Sequence, residues 1–418
     1  MKIKLVTFAP HPNFGTCLQS YALNYVLRKM GHNVEFIYNG RENLPNSFKQ
    51  YIIKGIKKII KLLLSKEKIL RLKESIKQTN SEPPLHILNL PHHPILNVAN
   101  KIFKYDVWYE YKKHTSLQWR KVYKFTFEDN NFQMRRIYTR KQYDEITADT
   151  DLFITGSDQI WNPYCGGYNP MMFLEFAGNK KRVAYSSSIS QPKIPIKIKE
   201  RMKSALSKFT HIAVREQKSV DLLNQLLNRN NIKLVVDPTF LLSATEWEEF
   251  GQKAILEFPL PKKYIFCYFV GHKRKAVYEE MVQQVKEYTG INEVITLECY
   301  NRKYAYGNGR LYKDAGPYEW VYLLRNASYV CMDSFHATVF ALKFQKEFVH
   351  AMKNEENEVG SQNTRMHDIL NRYGINYKNY NNTADNKWQQ NIDYAKVNPI
   401  INAEVEDSLR FLKYEIEN

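Results

Sequence analysis

The chain has 418 residues, 44% hydrophobic and 25% charged, with a mean hydropathy of −0.52; that length predicts two cores of similar size in a globular protein. No apolar run approaches the about 18 residues that mark a spanning helix, and the opening MKIKLVTFAP lacks the apolar core and cleavage site of a signal peptide, so a cytoplasmic protein is expected. The net charge of +18 calls for an anionic partner: a phosphorylated substrate, an anionic membrane or nucleic acid.

Along the chain, KIKLVTF predicts a strand, the loop APHPNFG leads into a helix through TCLQSYALNYVLRKM, and Gly31 stops it before a second strand, NVEFIY. From about residue 41 to 144 the pattern is irregular, basic and tyrosine-rich, and is taken as a helical insertion with long loops. The α/β rhythm then returns with strands in DLFITGSD, KRVAYSSSIS and HIAVRE, helices in IKERMKSALSKF and QKSVDLLNQLLNRN, and a closing IKLVVDPTFLL. A second series opens with KYIFCYFVGH, continues through the helix KAVYEEMVQQVKEYTG, the strand EVITLEC and the helix GPYEWVYLLRNA, and reaches SYVCMDSFHATVFALKF, a strand feeding a helix. INAEVEDSLRFLKYEI predicts a last amphipathic helix.

The expected architecture is therefore α/β, with two Rossmann-like domains. The first spans 1–242 and carries the insertion, the second spans 243–398, and 399–418 form a terminal helix.

Much of the net charge is local: residues 50–77 carry nine Lys and Arg against two Glu. Ile52, Ile56, Ile59, Ile60 and Leu63 recur at helical spacing, with Lys54, Lys57, Lys58 and Lys61 over much of the other side. That pattern fits a basic amphipathic helix on an anionic membrane surface, or a surface helix with a solvated lysine face. No recognised DNA or RNA motif accompanies it, so nucleic acid is not expected as a partner. The five cysteines form no CxxC and no zinc spacing and are read as reduced core residues. His92-His93 lies in a proline-flanked loop with no nearby carboxylate pair, so no metal site is expected.

In open parallel sheets, ligands bind beyond the carboxyl ends of the strands. The polar residues there are Asn13-Phe14-Gly15, Gly156-Ser157-Asp158-Gln159, Ser186 to Ser188, Arg215-Glu216 and Asp333-Ser334-Phe335-His336. Helix starts offer free N–H groups to anions, and arginine binds carboxylate or phosphate two-pronged. Each residue also has an ordinary role: Asn13, Asp158, Asp333 and Ser334 as caps or turn residues, Arg215-Glu216 as a surface ion pair, His336 as a donor to a nearby carbonyl. The glycines match neither the dinucleotide nor the P-loop spacing, and no G-x-S-x-G is present.

Taken in order, NFGTCLQSYAL, GSDQIWNP, RVAYSSSIS, AVREQKSVDLL, VVDPTFLL and DSFHATVFAL resemble the polysaccharide pyruvyl transferase family, over residues 3 to about 375. The resemblance implies a fold like that of two-domain GT-B glycosyltransferases. It also implies transfer of the enolpyruvyl carbons of phosphoenolpyruvate to two hydroxyls of a sugar, giving a pyruvate ketal and phosphate, with no cofactor. The family's catalytic histidine falls on His336 and its donor-binding arginine on Arg215. Some members carry arginine two residues before the histidine; here Ser334 stands there, and Arg365 or Lys353 is the expected replacement cation.

A histidine titrating near neutrality suits protonation of the enolpyruvyl methylene carbon. Asp158 is the candidate to orient or deprotonate an acceptor hydroxyl, with Gln159 and Asn13 hydrogen-bonding the sugar, and some tyrosines of YAYGNGRLYKDAGPYEWVY offering flat faces. The acceptor would be a polysaccharide or lipid-linked glycan, with the basic segment delivering it from the inner membrane face. The competing readings are a GT-B glycosyltransferase using a nucleotide sugar, which would show nucleotide affinity, and a non-catalytic assembly partner, which would tolerate loss of His336.

Overall fold

The computed structural model describes residues 1–8, 12–39, 116–137, 140–165, 167–271, 273–299, 303–356, 358–380 and 385–417. The basic segment 50–77, His92-His93 and most of the expected insertion lie outside them.

The first half builds a seven-stranded sheet from β1 (Lys2–Val6), β2 (Asn33–Asn39), β3 (Met134–Ile137), β4 (Leu152–Thr155), β5 (Lys181–Ser187), β6 (His211–Val214) and β7 (Lys233–Leu234). All pairs are parallel, in the order β3-β2-β1-β4-β5-β6-β7. The four residues of β4, LFIT, are all buried, as expected where helices cover both faces of a parallel sheet. The second half repeats the plan with β8 (Ile265–Tyr268), β9 (Val294–Leu297), β10 (Arg310–Tyr312), β11 (Tyr329–Met332) and β12 (Phe348–His350), in the order β10-β9-β8-β11-β12. Two doubly wound parallel sheets in succession form the expected GT-B-like α/β architecture.

The described end of the 41–144 stretch is not wholly helical. It holds α2 (Leu117–Tyr123), a π-helical turn and then β3, which pairs with β2 and returns the chain to the sheet. Four residues, MRRI, gave little alternation from which to read a strand.

Two helices are buried almost all round. In α1 (Phe14–Lys29) 12 of 16 residues are buried, so this helix lies inside the molecule, between its own sheet and the second half. The helix after β11, numbered α9 (Phe335–Lys343), is similarly enclosed. The intervening helices are α3 (Arg140–Ala148), α4 (Ile196–Leu206), α5 (Gln217–Leu227), α6 (Ala244–Gly251), α7 (Lys275–Thr289) and α8 (Pro317–Asn326). Two more follow, α10 (Thr364–Arg372) and α11 (Tyr394–Glu417).

The last helix returns to the first sheet. Ser408 Oγ accepts from the Val236 amide at 3.0 Å, Lys181 Nζ donates to the Glu415 carbonyl at 2.5 Å, and His211 Nε2 lies 2.7 Å from Glu415 Oε2. The halves are also bonded by α10. Asp368 Oδ1 accepts from the Gln217 amide at 2.8 Å, where a carboxylate suits the start of α5, and Arg372 donates to the Arg215 carbonyl at 2.8 Å. No helix among the described residues is long and apolar enough to cross a membrane.

Candidate functional site

Each sheet has its switch point beside its first strand, between β1 and β4 and between β8 and β11. Parallel sheets open their binding crevices there. The residues that leave these strands meet across the seam between the halves.

Arg215, just past β6, is 2% exposed. Its Nη1 donates to Asp237 Oδ2 at 2.6 Å, its Nη2 to Asp158 Oδ1 at 3.0 Å, and its Nε lies 3.5 Å from Glu216 Oε1. Arg215 and Glu216 are thus an interior pair, not the surface pair of their ordinary reading. A buried cation of this kind persists because its desolvation is offset by close carboxylates; removing one typically costs about 3–5 kcal/mol.

Asp237 is the hub. Its Oδ1 accepts from the Thr239 amide at 3.0 Å and hydroxyl at 2.7 Å, and its Oδ2 accepts from Ser157 Oγ at 3.2 Å as well as from Arg215. His336, in the first turn of α9 and 4% exposed, brings Nε2 to 3.5 Å from the same Oδ2. Burial alone would raise the Asp237 carboxyl; the adjoining His336 ring and Arg215 guanidinium outweigh it and hold it well below the usual carboxylate range.

On the other side of its ring, His336 faces a glycine. A Cβ added to Gly15 would lie 2.2 Å from Nδ1 and 2.4 Å from Cγ, so only glycine lets α1 approach the imidazole this closely.

Asp158 has φ of 71°, in the left-handed region, and Ser186 and Ser190 on the neighbouring strand end also have positive φ. Such strained residues gather where surroundings over-determine the backbone, commonly at functional sites. Asp158 Oδ2 accepts from Thr16 Oγ1 at 2.9 Å. Burial pushes its carboxyl up, but Arg215, His336 and Arg365 together hold it down.

Ser334 is the N-cap of α9, its hydroxyl accepting from the Ala337 amide at 3.4 Å. Asp333 anchors the opposite loop: its two oxygens accept from the Val270 and Gly271 amides, each at 2.6 Å, and from Tyr278 Oη at 2.8 Å. Asn13 precedes α1 as its N-cap residue without a side-chain capping bond. Gln159 Oε1 accepts from Asn162 at 2.9 Å, and Gln159 Nε2 donates to Gln362 across the seam at 3.3 Å. Arg365 is buried, with Nη2 donating to Gln362 at 3.1 Å and Nε without a partner. The Phe335 ring centre lies 4.4 Å from the Arg215 guanidinium carbon and 5.6 Å from that of Arg365, a cation–π arrangement with both.

His336, Asp158, Arg215, Arg365 and Gln159 are therefore gathered at one seam, with Ser334 engaged as a cap beside them. Tyr306, Tyr312 and Tyr318 are buried packing residues instead of exposed platforms. Asp237 and Gln362 were not singled out from sequence, and Gly15 was named only as part of the Asn13-Phe14-Gly15 strand end, without a role. Asp237 had a signal, since VVDPTFLL is one of the ordered motifs, but an Asp before Pro also reads as a turn.

Comparison with known proteins decides the family. The profile of the polysaccharide pyruvyl transferases matches residues 13–354. The chain belongs to the polysaccharide pyruvyl transferase family. No curated protein matches it. Among solved structures, the UDP-GlcNAc 2-epimerase of Methanocaldococcus jannaschii is 11% identical, covering 99% of this chain and 100% of that chain, with a TM-score of 0.44. The Neisseria meningitidis UDP-GlcNAc 2-epimerase bound to UDP-GlcNAc is 10% identical, covering 98% and 100%, with a TM-score of 0.45. A glycosyltransferase from Rickettsia africae is 12% identical, covering 100% and 99%, with a TM-score of 0.45. These three are weak likenesses, whereas the matched family region runs from the start of α1 through His336 and Lys353. Membership in the pyruvyl transferase family implies a transferase of polysaccharide biosynthesis.

Proposed function

We propose that this pyruvyl transferase moves the enolpyruvyl carbons of phosphoenolpyruvate onto two hydroxyls of one sugar in a polysaccharide or lipid-linked precursor. The observation that best supports this is His336: an imidazole buried between two switch points, 3.5 Å from a carboxylate held ionised and beside buried arginines. An imidazole whose Nε2 lies against a carboxylate is suitably placed to act as general acid toward a carbon that accepts a proton slowly.

In the proposed sequence, the His336 imidazolium protonates the methylene carbon, making C2 electrophilic. A first sugar hydroxyl adds to C2, and its proton returns to the imidazole. The C2–O bond to phosphate then breaks, a second hydroxyl closes the ketal, and its proton leaves with the phosphate. Asp158, held below the usual carboxylate range by its cationic neighbours, is better suited to orient a hydroxyl than to remove its proton. Gln159 and Asn13 would bind the sugar, and Arg365 and Ser334 the donor. Arg215 supplies positive charge, and each Nη, after its one bond to Asp237 or Asp158, keeps a second N–H.

Calorimetry with phosphoenolpyruvate, UDP-sugars and GDP-sugars tests the reading in wild type, Arg215→Ala and His336→Ala. Selective phosphoenolpyruvate binding, lost in Arg215→Ala and largely kept in His336→Ala, is the expected result, followed by acceptor-dependent phosphate release that His336→Ala abolishes. Nucleotide-sugar binding without phosphoenolpyruvate binding would refute it.

A further inference from the structure

One oxygen at the seam has more donors than an amide carbonyl ordinarily takes. Gln362 Oε1 accepts from Arg365 Nη2 at 3.1 Å, from Lys353 Nζ at 3.3 Å and from Gln159 Nε2 at 3.3 Å. A carbonyl oxygen has two lone pairs, and lysine and arginine only donate, so the acceptor end of this amide must point at them. Two of the three donors are cations, and neither Arg365 nor Lys353 forms an ion pair among the described residues. Arg365 keeps a second donor, Nε, buried and without a partner. Two cations brought to one neutral oxygen repel each other, and the nearest carboxylates, Asp158 and Glu216 for Arg365 and Asp333 for Lys353, act on them without an ion-pair contact, so an anion at that point would relieve the repulsion directly.

The loop that carries Gln362 is built to hold it there. Asn363 Nδ2 donates to the Asn354 carbonyl at 2.8 Å, and Asn363 Oδ1 accepts from the Asn354 amide at 3.3 Å, closing the loop on itself. Asn354 Oδ1 accepts from the Gln362 amide at 3.2 Å. From the first half, Gln191 donates to the Ser361 carbonyl at 3.1 Å. A loop pinned on both sides of the seam thus presents one amide oxygen to a ring of donors.

We propose that Lys353, Arg365 and Gln159 form an anion-binding site whose natural occupant is an anionic oxygen of a phosphoryl or carboxylate group, and that Gln362 Oε1 fills this place when no ligand is bound. Ligand entry displaces the Gln362 side chain and brings Arg365 Nε into use. The identity of the physiological ligand, the donor, rests on the transferase reading; the site itself does not. Burial and the nearby Arg365 charge pull the Lys353 ammonium below its usual range, which an incoming anion would reverse.

Inorganic phosphate and pyruvate, titrated separately by calorimetry, test this in the full-length protein. Phosphate is expected to bind Gln362→Ala several-fold tighter than wild type, because the internal competitor is gone. It is expected to bind Lys353→Met and Arg365→Gln at least tenfold more weakly. Gln362→Glu fixes a carboxylate at the site, so it should abolish anion binding while raising Tm, a result that misfolding cannot imitate. The same pattern with pyruvate in place of phosphate would assign the site to a carboxylate. Weaker binding in Gln362→Ala, in step with Lys353→Met, would make Gln362 a structural bridge and overturn the proposal. So would unchanged binding in Gln362→Glu, or no anion binding by either wild type or Gln362→Ala. Phosphate binding in the expected pattern without turnover of phosphoenolpyruvate would keep this site and remove the proposed donor.

Discussion

Replacing Gly15 by alanine puts a methyl group 2.2 Å from Nδ1 and 2.6 Å from Cβ of His336, across the seam between the halves. Restoring an ordinary contact of 3.4 Å requires a shift of about 1.2 Å by one of two elements that are both enclosed. Overpacking of a closed core typically costs about 1–3 kcal/mol, and the gain in helix propensity from glycine to alanine is at most about 1 kcal/mol in a helix interior and smaller in a first turn. The net expectation is a loss of about 1–2 kcal/mol, seen as a Tm lower by about 1–2 degrees in scanning calorimetry of a chain this long. Activity should fall further than stability. His336 is already 3.5 Å from Asp237, so a displacement of that size removes the contact, and misplacing a catalytic group by about 1 Å can cost about 100-fold in rate. The matching assay is acceptor-dependent phosphate release from phosphoenolpyruvate. A Gly15→Ala protein with the wild-type Tm and rate would show that α1 does not abut the imidazole, and would refute the seam geometry.

Three further outcomes are expected. Asp237→Asn removes the closest carboxylate of Arg215 and leaves it Asp158 and Glu216, and should destabilise by about 3 kcal/mol, the lower end for a broken buried pair because two carboxylates and the amide's own hydrogen bonds remain. The folded-state pKa of Asp237 is depressed, so its stabilisation is present above the ordinary carboxylate pKa and lost as pH falls through the folded value. The gap between the two proteins in denaturant titrations should therefore narrow only below about pH 4. His350 is fully buried, with neither ring nitrogen hydrogen-bonded, and burial pushes it down to about 3. Between pH 6.5 and about 3 the unfolded chain binds a proton there that the folded chain refuses, so His350→Leu should lose less stability on acidification, by up to about 1.4 kcal/mol per pH unit. Equal acid slopes would count against a neutral buried imidazole. Changing Lys54, Lys57, Lys58 and Lys61 to glutamine should weaken co-sedimentation with anionic vesicles; unchanged binding would end the membrane reading of that segment.

What was legible from sequence follows from what local pattern encodes. Continuous apolar runs such as LFIT and YVCM, each ending in polar residues, announced buried parallel strands and the strand ends where chemistry would sit. The rule of looking beyond those ends gathers His336, Asp158, Arg215 and Gln159 from the sequence alone. The short or weakly patterned elements escaped: β3, with its two arginines, β12, only three residues long, and α6, whose Ser243–Glu246 capping box was in plain view. The missing site residues are missing for a different reason. Asp237 follows a two-residue strand and precedes proline, so locally it is a turn. Gln362 lies in a loop of polar residues with no periodicity. Gly15 matters only because His336, more than 300 residues later, comes to rest against it, and no window of sequence contains both.

Among the described residues the chain passes from the first sheet to the second between β7 and β8 and returns along α11, whose far end is fastened to the first sheet by Ser408 and Glu415. Rotating one half about the other would break the seam bonds of Asp368, Arg372 and Gln362 and would carry the far end of α11 with the first sheet. Under the proposed reaction, a site as enclosed as the one around His336 has to admit a donor and a sugar and release phosphate. The anchor of the C-terminal helix is therefore mechanically coupled to any opening of the seam, although Ser408 and Glu415 lie far from His336 in the chain.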